Sequence, residues 1–144
     1  MDSPNSSNKL ITCPRKVTSR HKITYKKSKW RVHQFKIVRG EVICTVAVLQ
    51  MNESLLLWIG SGISSEYKLN EVALGMPGDK LAGGTGLASA LLGSEGAATA
   101  MARRLAALLK RPVYFCSGSE FDKFSLPLVE QGLIAEIKSR PECF

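Results

Sequence analysis

Residues 55–66 read LLLWIGSGISSE, an apolar run that ends in Gly60-Ser61-Gly62 and small polar residues. Two architectures use such a stretch. One is a dinucleotide-binding unit, which needs a strand, G-x-G-x-x-G/A and a crossover helix. The other is a plain strand leaving a hairpin. Gly60 and Gly62 match two fingerprint positions, but the third falls on Ser65, where close helix–strand packing leaves no room for a side chain. Eight residues, 63–70, follow before a strand-like run, too few for a crossover helix. Asp79 lies nineteen residues after Gly60, near the place of a ribose-binding acid, yet it follows Pro77-Gly78 in a turn. The hairpin reading is the one the spacing supports.

Upstream, residues 42–51 (VICTVAVLQM) are β-branched and apolar and predict a strand. Asn52-Glu53 makes the turn, with Asn tolerant of positive φ, and residues 54–59 return as the next strand. An earlier strand, WRVHQFKIV, ends at Arg39-Gly40. Downstream, a polar loop reaches about Lys68. Residues 69–76 read as a strand stopped by Pro77-Gly78, Gly83-Gly84 permits a turn, and residues 86–92 read as a short strand. Ser94 suits an N-cap, and apolar residues recur at three and four over a helix at 95–110. Pro112 stops it. Residues 113–116 are a short buried strand. A last helix starts near Ser125, with Pro127 in its first turn, ends before Pro141, and has Gly132 as a weak spot. The order β-β-β-β-β-α-β-α is an α+β domain with a roughly six-stranded, largely antiparallel sheet and two helices.

The two hairpin strands are apolar at both parities. Leu55, Leu57 and Ile59 point one way, Leu56 and Trp58 the other, as in strands buried on both faces. Two helices cover only one face of such a sheet. The other face needs a cover, which a partner subunit packing sheet on sheet supplies; closure into a barrel is the rival. Leu55, Leu56, Leu57, Trp58 and Ile59 are therefore the candidate partner-facing or core residues.

The 144-residue chain suits one domain, residues 30–144, preceded by a basic extension, 1–29, expected to be disordered. The net charge of +8 is uneven: residues 1–39 carry eleven Lys and Arg against Asp2, whereas residues 40–144 carry nine against eleven acids. Partners attracted by positive charge would meet the arm only. Interleaved Tyr25 and Trp30 make nucleic-acid binding the alternative function. The N-terminus lacks the apolar run of a signal peptide, and its charge density fits a transit peptide poorly. No apolar run is long enough to span a bilayer, so membrane association is not expected.

Catalytic and metal constellations are absent from the pattern. Cys13, Cys44, Cys116 and Cys143 are dispersed, and His21 and His33 lie in or beside the arm, which gives no zinc spacing. Gly83-Gly84-Thr85-Gly86 lacks the Gly-Lys-Ser/Thr of a P-loop. Ser94 is not in G-x-S-x-G, and Thr85 and Ser89 have no histidine in the folded body beyond His33. His33 with Cys44 or Cys116, Glu130 with Glu136, and Asp79 with Glu71 are pairs to check, with solvated charge as the plainer reading. No enzyme, metal or cofactor is expected.

The run HQFKIVRGEVICTVAVLQMNESLLLWIG resembles the front of the proteasome assembly chaperone 4 family through His33, Phe35, Glu53, Ser54, Leu55, Leu57, Trp58 and Gly60. LLGSEGAATAMARRLAALLKRPVYFC is similar to its Leu-Leu-Gly, helix and following strand through Gly93, Arg104, Leu105 and Ala106. LPLVEQGLIAEIKSRPECF resembles its last helix and terminus through Leu128, Val129, Glu130, Pro141, Glu142 and Phe144. The resemblance covers about residues 33–144; the arm and residues 76–86 depart from it. It implies a non-enzymatic, ATP-independent chaperone that forms a heterodimer with a sister chaperone, number 3 of the series. The pair binds α-type subunits of the 20S proteasome and promotes α-ring formation. Apart from the resemblance, the dispersed cysteines read as reduced thiols, which fits the cytoplasm and also the nucleus.

Overall fold

The computed structural model describes residues 23–62, 67–79 and 83–144. Most of the basic extension thus lies outside the described residues; residues 23–30 are exposed and carry no regular structure. The elements are β1 (Arg31–Arg39), β2 (Val42–Gln50), β3 (Leu55–Ser61), β4 (Glu71–Met76), β5 (Leu87–Leu92), α1 (Ala97–Leu109), β6 (Val113–Ser117) and α2 (Ser125–Ser139), then a 3-10 turn at Pro141–Cys143. This is the order expected from the sequence.

The six strands form one sheet in the order β1-β2-β3-β6-β4-β5. All neighbours are antiparallel except β3 and β6, which run parallel. The one parallel pair follows from chain length: β6 is reached through α1, and a crossover of that size can bring a strand in parallel. β1 and β5 are the free edges, so the sheet is open and the barrel alternative falls.

Both helices lie on one face. A Cβ on Gly75 of β4 would meet the backbone oxygen of Ala102 at 2.1 Å, which sets how closely α1 approaches the sheet. A Cβ on Gly132 of α2 would meet Ile37 Cγ2 of β1 at 2.4 Å. Gly132 is thus the point of closest approach between α2 and β1; the helix propensity lost there is the condition of that packing. The core between helices and sheet holds Val46, Val48, Leu55, Leu57, Ile59 and Phe115 from the strands against Met101, Leu105, Val129 and Leu133. Arg104 Nε of α1 lies 2.9 Å from Glu130 Oε1 of α2 and ties the helices together.

Phe144 belongs to this core as well. Phe144 is buried and packs edge-on against Phe35, ring centroids 6.0 Å apart. His33 stacks on Phe35 and lies 3.1 Å, through Nε2, from Glu136 Oε1.

Three local expectations shift. β3 does not end at Ile59: it runs to Ser61, and Gly60 pairs with Thr45. The indole of Trp58 lies over Gly60, where a Cβ would stand 2.2 Å from the ring. The positive φ of the β2–β3 turn falls on Glu53 (59°) and not on Asn52. α1 starts two residues later than expected, with Gly96 in the capping position that Ser94 was expected to fill; the Gly96 N–H donates to Thr99 Oγ1 at 3.3 Å.

Candidate functional site

Strand register sorts the candidate residues by face. Leu55, Leu57 and Ile59 pair across the sheet with Val113, Phe115 and Ser117 and lie under the helices. All three are fully buried core residues. Leu56 and Trp58 point to the opposite face, which neither helix covers.

That face carries an apolar row through five adjacent strands: Val32, Leu49, Leu56, Tyr114 and Leu74, ending on Ser89 of β5. The alternation of period two that buries the core side of each strand places these residues together on the other side. Val32 is 66% exposed, Val38 62% and Leu87 76%, and Ile43, Met76 and Leu92 are exposed as well. Among the described residues, Lys36 is the only charged side chain at a strand position of this face. An apolar surface spread across a whole sheet is unusual for a monomer.

With Cys116 beside it, 4% exposed, Trp58 is the exception: it is only 7% exposed on the uncovered face. Its cover is a strap at residues 67–70. The Tyr67 ring lies against the indole, centroids 4.7 Å apart. The Trp58 Nε1–H donates to the Lys68 carbonyl at 2.8 Å. Gln34 Nε2–H of β1 donates to the Tyr67 hydroxyl at 3.0 Å. The Asn70 N–H donates to the Ser117 carbonyl at 2.8 Å and anchors the far end of the strap to β6. The sequence ended the polar loop at about Lys68 and put Leu69 and Asn70 in the next strand, which instead opens at Glu71; no period marks the strap that these residues form. A lone aromatic in a polar loop was the available signal.

The catalytic pairs do not assemble. Glu130 faces Arg104, and Glu136 faces His33 and Arg140. Glu71 opens β4 and Asp79 follows its other end, roughly 17 Å along a strand of that length. His33 pairs with Val48 and Cys44 with Ile37, four residues along the same ladder, or roughly 13 Å. Burial pushes the Cys44 and Cys116 thiols up, toward the unreactive protonated form. Among the described residues no three metal-ligating side chains converge, and no helix is long and apolar enough to cross a membrane.

The uncovered apolar face is therefore the candidate functional surface. No curated protein sequence matches significantly. Among solved structures, a chain of the "Crystal Structure of a Novel Chaperone Complex for Yeast 20S Proteasome Assembly" is similar in fold: TM-score 0.50 and 14% identity over 78% of this chain and 93% of that chain. The sequence profile of proteasome assembly chaperone 4 matches residues 44–117, from β2 to the end of β6. That span is slightly more than half of the sequence and contains the Leu55–Ile59 strand, the strap and α1, so the chain belongs to the proteasome assembly chaperone 4 family.

Proposed function

We propose that this protein is a non-enzymatic chaperone of 20S proteasome assembly that works as one half of a heterodimer with the sister chaperone, number 3 of the series. The uncovered sheet face is the pairing surface. The pair binds α-type subunits, promotes formation of the α-ring, and acts in the cytoplasm. The observation that carries this reading is the apolar row from Val32 to Leu74, which no described element of the chain covers. Five inter-strand spacings make the sheet about 24 Å wide, and strands of this length span about 20–30 Å. A face of that size approaches what each side of a standard protein interface buries, about 800 Å². Removing it from water supplies the drive for pairing.

The test is affinity capture from native extract, with mass spectrometry of what co-purifies. It uses a tagged full-length chain and a version that starts at Trp30. Both are expected to retain a second small chaperone and α-type subunits, without the peptidase activity of the mature particle. If neither does, and the full-length chain alone retains nucleic acid in a salt-sensitive way, the reading is overturned. The basic arm then becomes the functional element.

A further inference from the structure

The Tyr67 strap crosses the surface that pairing would bury. The geometry points to Tyr67 as the residue that determines which partner sheet fits: the strap stays in place on pairing, and the opposing sheet carries a small side chain against Tyr67 and an acid within reach of Lys36. This inference rests on the sheet-packing reading above.

The strap stays because of the bonds it holds. The Trp58 N–H has the Lys68 carbonyl as its acceptor, and the Tyr67 hydroxyl is the acceptor for Gln34. Displacing the strap inside an interface that excludes water would orphan these groups, which costs more than the bonds contribute in water. The Asn70 bond to Ser117 holds the far end to a central strand.

A retained strap then dictates the partner's shape. Packed sheets stand about 10 Å apart. The Trp58 and Tyr67 rings, 4.7 Å between centroids, already occupy most of that gap. Tyr67 is nonetheless 63% exposed, so most of its surface is available to an opposing sheet. Aromatic residues seated near the centre of an interface, in a pocket that excludes water, are the usual anchors of affinity. A flat, large-residue sheet would be held off by Tyr67. A sheet with a notch of Gly, Ala or Ser receives it. Lys36 is the one charged side chain at the strand positions of this face among the described residues, and an opposing carboxylate is the group that offsets its desolvation.

The experiment is sedimentation or calorimetric titration of the full-length chain with the purified sister chaperone. It compares wild type, Tyr67→Ala, Tyr67→Phe and Lys36→Glu. Tyr67→Ala removes the ring that lies on Trp58, so it should lower the melting temperature of the isolated chain by a few degrees only. It should weaken pairing by about 30-fold, whereas Tyr67→Phe, which keeps the ring and loses only the Gln34 bond, should weaken it less, by about fivefold. Lys36→Glu should weaken pairing, and charge reversal of the facing acid should rescue it. Hydrogen exchange at residues 67–70 should slow in the complex. Wild-type affinity in Tyr67→Ala, or faster exchange of the strap on pairing, overturns the inference and leaves the heterodimer reading intact. Absence of pairing in the wild type removes both.

Discussion

Glu53 holds φ at 59°, a region that β-carbon-bearing residues enter at a cost. The sequence suggested that the turn's left-handed residue would be Asn52, because Asn tolerates that region. Ladder register decides otherwise: Gln50 pairs with Leu55, and the Met51 N–H donates to the Ser54 carbonyl, which leaves Glu53 as the residue that must turn back. Glu53→Gly should therefore raise stability by about 0.5–1 kcal/mol in chemical denaturation. Asp122 makes the opposite point about hidden signals. Its Oδ1 accepts from the Ser125 and Phe124 N–H groups at 2.6 and 3.0 Å and caps the start of α2. The hydrogen bond from the Ser125 backbone, foremost, holds its carboxyl below the usual aspartate value. A depressed carboxylate contributes stability above its unfolded pKa and loses it as pH falls through the folded one. Asp122→Ala should thus be less stable than wild type at neutral pH. The gap should narrow from about pH 4 downward, as thermal melts across that range would report.

Element boundaries were readable where periodicity is strong and the ends are marked. α1 stops before Pro112 as the sequence implied, with Lys110 turning into the left-handed region at φ 56°. Its beginning was misplaced because Ser94 and Glu95 look like a cap and first turn, while the chain is still leaving β5 through Gly93, at φ 84°. Beyond its family resemblance, the segment after α2 carried no helix or strand period. Pro141–Cys143 turns the chain so that Phe144 enters the space beside Phe35 and His33. A lone aromatic after a proline turn gives no sign of burial, and only tertiary packing makes this one a core residue. Phe144→Ala should cost about 3 kcal/mol in urea denaturation, far more than removal of an exposed terminal residue.

Across the molecule, the two faces of the sheet divide the labour. One is closed by α1 and α2 around Leu55, Leu57 and Ile59. The other leaves an apolar row uncovered by the helices and shields Trp58 and its neighbour Cys116. Substitutions on the open face should separate folding from pairing. Ile43 is 46% exposed and contributes little to the helix-side core. Ile43→Glu should leave the isolated chain within about 1 kcal/mol of wild type while lowering affinity for the partner at least tenfold, readable by co-purification and melting of the same preparation. A variant that unfolds would show instead that the residue supports the monomer.

Sequence alone determined the order of strands and helices, the split of Leu55, Leu57 and Ile59 from Leu56 and Trp58, and the excess of apolar surface over what two helices can cover. These follow from local periodicity, which each segment carries by itself. The Leu55–Ile59 strand showed both faces in five letters. Tertiary structure decided the rest: that β6 enters between β3 and β4, that Gly75 and Gly132 are contact points, that Phe144 is buried, and that Tyr67 covers Trp58. Each of these depends on residues far apart in the chain meeting at one place. No period encodes such a meeting, because its energy exists only once the sheet has formed.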